Sequence, residues 1–191
     1  MLQDTIIYFD ICAVVILAII FFSMLFRKMT KGASNISFIS LVFVSMVTAV
    51  IDLLCNLYAL YLLNPAGRYS FIYLLNCLYF IFRNLTTPLY LVYIISISST
   101  WFLFKRSNLR KFVLTAPLLL LAFLIVFNKY TGWIFTLDEN CVYHRGPFIF
   151  ILYLIACFYI IYGSSYLTRH WKILPKKHFV ALFCVFLMNL A

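Results

Sequence analysis

The sequence predicts an all-α fold, a polytopic transmembrane helical bundle, and three observations predict it. Of its 191 residues, 66% are hydrophobic and only 10% charged, for a mean hydropathy of +1.06. Soluble domains carry about 25% charged residues, and a chain this apolar cannot cover its surface with polar groups in water. The apolar residues come in long runs rather than in alternating segments of about ten, which excludes an outer-membrane barrel. Four of the five glycines (Gly32, Gly67, Gly132 and Gly146) and most basic residues fall in the connections between runs.

Six runs define the expected spans. The first, residues 5–26, follows Asp4 and ends at Arg27, Lys28 and Lys31. That polarity is the reverse of a secretory n-region, so the segment stays as a helix. The second covers 35–63. The third, 71–104, would be about 51 Å long as a straight helix, against a hydrocarbon core of about 30 Å. It is expected to tilt, to bend at Pro88 or to project from the membrane. The fourth covers 112–127, with Pro117 tolerated near its start. The fifth covers 147–167, and Pro147 suits a first helical turn. The sixth, 179–191, has 13 residues where a span needs about 20. The sequence is therefore expected to be a fragment, and one further span would carry any following domain into the cytoplasm.

Orientation follows from the basic residues. Arg27, Lys28, Lys31, Lys105, Arg106, Arg110, Lys111, Arg169, Lys172, Lys176 and Lys177 all fall after odd-numbered spans, eleven of the fifteen in the chain. The positive-inside rule puts these loops in the cytoplasm and the N-terminus outside, in a plasma membrane. Trp101, Trp133 and Trp171 mark boundaries or loops, as interfacial indoles do. The net charge of +10 thus reports topology, with the lipid bilayer as partner and no nucleic acid. The one sizeable outer segment lies between spans four and five. Residues 133–137 and 141–144 flank the turn-prone Asp138-Glu139-Asn140 and read as a short hairpin over the bundle mouth.

Three ionisable residues, Asp10, Asp52 and Arg83, fall in the outer third of the spans. Charge avoids lipid, so they are expected to face the bundle interior. Ser45, Thr48, Asp52 and Asn56 share one face of the second span; Asn76, Arg83, Thr87 and Tyr90 share one of the third. Asp52 is the preferred partner of Arg83, and Asp10 the next. Either the pair neutralises itself and pins two helices, or the cluster is a pocket open to the outside, where Arg83 takes an acidic group or Asp10 an amine. Candidate pocket residues are Asp10, Asp52, Asn56, Asn76, Arg83, Asn84, Thr87 and Tyr90, facing an unknown small ligand on the outer side. Trp133, Tyr143 and Arg145 are candidate residues of a covering loop. Arg145 either helps the start of the fifth helix hold an anion or caps the loop against Asp138 or Glu139.

Catalytic signatures are missing. No P-loop, G-x-S-x-G or H-E-x-x-H occurs. The six cysteines form no metal pattern; Cys12, Cys55, Cys77, Cys157 and Cys184 lie in spans, and external Cys141 has Cys77 as its one conceivable disulfide partner. His144, His170 and His178 read as solvated loop residues. No metal, cofactor or enzymatic activity is expected of this chain.

Three stretches carry a family resemblance: Ile7-Tyr8-Phe9-Asp10; Asn76-Cys77-Leu78-Tyr79-Phe80-Ile81-Phe82-Arg83-Asn84-Leu85-Thr86-Thr87-Pro88; and Thr131-Gly132-Trp133-Ile134-Phe135 continuing to Tyr143-His144-Arg145-Gly146-Pro147. Together they resemble the N-terminal multi-span sensor region of bacterial signalling proteins, especially those of anaerobic Firmicutes with a C-terminal GGDEF diguanylate cyclase domain; related regions precede histidine kinases. The resemblance implies a membrane sensor, as a homodimer, passing an external or membrane signal to a cytoplasmic output domain in cis. No GGDEF motif occurs in these residues, so cyclase or kinase activity would belong to the full-length protein. Ala49-Val50-Ile51-Asp52-Leu53-Leu54 and the Cys77/Cys141 pair also echo an animal seven-helix receptor, but span three ends in Ser99-Thr100-Trp101-Phe102 without an Asp-Arg-Tyr-like triplet and span one lacks the usual Asn. A small-solute or ion transporter using Asp10, Asp52 and Arg83 is the alternative reading, against which no inverted repeat is visible.

Overall fold

Long apolar runs with few breakers leave the backbone no partner but itself in lipid, and helices are the outcome. The computed structural model describes residues 2–26, 32–61, 65–98, 108–138 and 142–169. Five helices and two short strands follow in chain order: α1 (Leu2–Phe26), α2 (Ala33–Tyr61), α3 (Pro65–Ile97), α4 (Asn108–Thr131), β1 (Phe135–Leu137), β2 (Tyr143–Arg145) and α5 (Ile149–Arg169). All five helices are long and apolar enough to cross a membrane. The expected sixth span at 179–191 lies outside the described residues, as do Trp101, Glu139, Cys141, His170, Trp171 and His178.

The helices outrun the apolar segments that announced them. α3 begins at Pro65, six residues before the expected start, and α4 runs from Asn108 to Thr131 where 112–127 was expected. Hydropathy reports contact with lipid, while backbone hydrogen bonding continues past it. Pro65 is a natural first residue, because the N–H it lacks would have no helical acceptor. Pro147 precedes α5 in a turn instead of opening it.

β1 and β2 pair antiparallel, with Phe135 opposite Arg145, Thr136 opposite His144 and Leu137 opposite Tyr143. The paired residues are fewer than the expected 133–137 and 141–144, and on the second strand they shift toward Arg145. Trp133 and Ile134 are occupied elsewhere: their carbonyls accept from Phe148 N–H at 2.9 Å and Gly146 N–H at 2.8 Å.

Contacts fix the directions of the helices. Ser37 on α2 meets Ser96 on α3 at 3.2 Å, Phe38 packs on Tyr93, and Tyr58 packs on Phe71. α2 and α3 are therefore antiparallel, and the register sets Asp52 level with Tyr79. Gly163 of α5 lies against Tyr90, Leu91 and Ile94 of α3, where an added Cβ would be 3.1 Å from Ile94 Cδ1. α3 and α5 both run away from β1 and β2, whose end is here termed the hairpin end.

α3 is the hub. It packs on α2, α4 and α5, while α1 packs on α2. The core follows α3: Leu91, Ile94, Ile95 and Tyr159 are 0% exposed. Tyr159 also donates its hydroxyl to the Leu114 carbonyl of α4 at 2.6 Å. Within α3, Pro88 offers no N–H to the carbonyl four residues back, that of Asn84. The Thr87 hydroxyl donates to that carbonyl at 3.2 Å, so the gap in the ladder is filled by a side chain, as proline-containing membrane helices require.

Candidate functional site

Two structures meet at the hairpin end of α3: a fastening that holds the β-ribbon down, and a group of charged and phenolic side chains beside it.

The fastening is centred on Asn128, in the last turn of α4 and 2% exposed. Its Oδ1 accepts from the N–H groups of Ile134 at 2.7 Å and Phe135 at 3.2 Å. Its Nδ2 donates to the Phe135 carbonyl at 3.0 Å and to the Tyr73 hydroxyl of α3 at 3.2 Å. Every hydrogen-bonding position of the amide is thus used. The chain reaches this geometry through Gly132, whose φ of 61° is the left-handed conformation glycine tolerates best. Gly146 completes it: a Cβ there would collide with the carbonyl oxygens of Gly132 and Trp133. Over this scaffold Phe135 packs on Tyr73 at 5.1 Å between ring centroids and on Phe80 at 5.6 Å, and Tyr143 stacks on Phe135 at 6.0 Å. Burial pushes the Tyr143 phenol above its ordinary pKa, with Arg145 pulling the other way.

Beside the ribbon lie the charges. Asp10 of α1 accepts from Asn56 Nδ2 of α2 at 2.7 Å. Arg83 points back along α3, as helical side chains do, and donates Nη1 to the Tyr79 hydroxyl at 2.5 Å, its guanidinium 5.7 Å from the Tyr79 ring centre. Arg83 is exposed and Asp52 half-buried. Asp52 feels the charges of both Asp10 and Arg83, and Tyr79 interacts electrostatically with Asp52, Arg83 and Tyr153 of α5.

The expected Asp52–Arg83 ion pair is not formed. Among the described residues the one contact within 4.0 Å between a carboxylate and a basic side chain joins His144 Nε2 to Asp138 Oδ2 at 3.3 Å, an ion pair only when the imidazole is protonated. Arg83 takes the phenol one turn away in its own helix, and Asp10, the next expected partner, takes Asn56. Of the other candidates, Asn76 bonds the Ile72 carbonyl at 2.9 Å and buried Asn84 the Phe80 carbonyl at 2.9 Å. Thr87 serves the Pro88 gap, and Tyr90 is buried against Gly163. These four stabilise α3 and its packing; helix backbone within reach satisfied most of what the sequence presented as a polar face. Trp133 is half-buried, edge-on to Phe148. Arg145 is exposed on β2; Asp138, one of its two expected partners, instead pairs with His144 and accepts from Val142 N–H at 2.8 Å.

The structure adds residues that sequence reasoning passed over: Asn128 as the fastening with Tyr73 as its partner, Tyr79 and Tyr153 as phenols beside the charges, and Gly146 as a close approach. Comparison with family models, with curated proteins and with solved structures finds no match for this chain.

Proposed function

We propose that the chain is a membrane sensory module that receives a signal at its hairpin end and passes it along α3 to a cytoplasmic output domain in cis. The observation that carries this reading is the position of α3. One helix holds the ribbon through Tyr73 and Phe80, bears Arg83 and Tyr79, and at its far half forms the core with α5. A change in how the ribbon sits is therefore felt by the element around which the bundle is packed. In this reading the basic loops are cytoplasmic, so the hairpin end and the N-terminus face outside the cell. The ribbon covers the bundle mouth in a plasma-membrane protein of six or more spans. The sequence resemblance supports a diguanylate cyclase or histidine kinase as the output, acting as a dimer.

The test uses the full-length protein. Asn128→Leu, which frees the ribbon, is expected to change output activity about fivefold or more. Unchanged output, with the ribbon shown to be released by protease cleavage within 138–142, would overturn the reading. Cysteine labelling of loop 105–111 from outside intact cells would overturn the orientation.

A transporter is the second reading, favoured by Asp52, a carboxylate in a span that accepts no hydrogen bond among the described residues. Flux into proteoliposomes that Asp52→Asn abolishes would establish it in place of the sensor.

A further inference from the structure

Asp52 and Arg83 are each left with capacity that their surroundings do not use. Arg83 carries a fork of N–H donors, of which one is given to a neutral phenol. Asp52 can accept several hydrogen bonds and receives none among the described residues. Asp10, the nearest other carboxylate, is already engaged by Asn56. The α2–α3 register sets Asp52 level with Tyr79, and Arg83 reaches back to the Tyr79 hydroxyl, so cation and carboxylate stand at one depth without touching. Both lie within candidate membrane spans, where an uncompensated charge is costly. Tyr153 comes in from α5, and Tyr143 from β2 lies in electrostatic range of Tyr79 and Tyr153. A ligand with one charge would satisfy one of the two groups and repel the other.

We propose that Asp52 and Arg83 together bind a zwitterionic group, with Asp52 accepting hydrogen bonds from a primary ammonium and Arg83 donating to a carboxylate or phosphate a few bonds away. The Tyr79 phenol holds the guanidinium at the level of Asp52. Tyr143 and Tyr153 border the site, which ties occupancy to the seat of the ribbon. Two sources carry this chemistry, a free α-amino acid and the headgroup of phosphatidylethanolamine. The assignment rests on the reading of the hairpin end as the receiving end, and its test is made on binding alone, so that its outcome is independent of any output.

The chain is purified in a neutral maltoside detergent and titrated with leucine, dihexanoyl-phosphatidylethanolamine, dihexanoyl-phosphatidylglycerol and butylamine, with the rise in thermal unfolding temperature as readout. At least one zwitterion is expected to bind about tenfold or more tightly than either singly charged probe, the loss of one charged hydrogen bond being of that size. Response to leucine alone identifies the free amino acid, response to the phosphatidylethanolamine alone identifies the lipid, and response to both leaves the zwitterion itself as the recognised unit. Asp52→Asn should remove the preference over phosphatidylglycerol, and Arg83→Gln the preference over butylamine. Should either variant fail to fold, Tyr79→Phe, which releases the guanidinium while keeping the ring, is expected to weaken zwitterion binding severalfold. Phosphatidylglycerol or butylamine binding as tightly as the better of the two zwitterions, no response to any zwitterion, or a Tyr79→Phe chain that binds as the parent does, overturns the proposal. Zwitterion binding that leaves the full-length output unmoved would retain this site and reject the sensor.

Discussion

Asn128 and Arg83 stand at the same end of the bundle, both bonded to tyrosines of α3, and are treated in opposite ways. The uncharged Asn128 is 2% exposed and has every donor and acceptor matched, three of its four bonds going to the ribbon backbone. Arg83, which carries a full charge within a span, has one hydrogen bond to a neutral hydroxyl and lies exposed. If stability alone had shaped this end, the charge would hold the better partners, since a charge lost from water costs far more than an amide. The amide is built into the architecture and the guanidinium is left available.

Three measurements put that contrast to the test. The largest effect is expected for Asn128→Leu, which strands the N–H groups of Ile134 and Phe135 and the Phe135 carbonyl; at about 1–3 kcal/mol for an unsatisfied buried group, the loss should be about 3 kcal/mol. Unfolding in mixed micelles at increasing SDS fraction measures it. Arg83→Gln should cost about 1 kcal/mol or less in the same assay, since the hydrogen bond it removes is a single one to a neutral phenol. A loss matching that of Asn128→Leu would mean that Arg83 is as structural as the amide. The smallest effect concerns Tyr143. Its phenol is raised in the folded protein, so the stability it contributes is full below the unfolded value of about 10 and is lost as pH rises through the higher folded value. Tyr143→Phe should therefore flatten stability against pH on the alkaline side and leave the neutral range unchanged. Parallel curves for the two proteins would show that the phenol stays in water.

The helices were legible because lipid demands a long apolar run, and nothing else in the sequence looks like one. Their ends were not, because α3 and α4 continue through polar residues that hydropathy discounts. Asp10, Asp52, Asn56 and Arg83 were legible as a group for the same energetic reason, since four polar side chains at similar depth in apolar runs stand out. Their pairing was not. Counting residues along straight helices places a Cα, while the Arg83 side chain reaches a turn back toward the N-terminus and meets Tyr79 first. Asn128 was invisible because an asparagine followed by Lys-Tyr-Thr-Gly reads as the opening of a loop. Its role depends on Gly132 turning the chain so that residues six and seven positions later come back to its amide. The His144–Asp138 pair was missed for a related reason, since the strand register sets His144 opposite Thr136, two residues from Asp138, a proximity no linear spacing announces.

The substitution of a hydroxyl for a missing rung at Pro88 has a mechanical consequence. Elsewhere α3 is held along its axis by main-chain bonds whose rupture would expose peptide groups to hydrocarbon. At Asn84 the carbonyl is served by the Thr87 side chain, whose χ1 rotation can carry the bond with it or release it without unwinding a turn. The ribbon-bearing upper segment and the tightly packed lower segment thus meet where a side-chain bond stands in for a main-chain one.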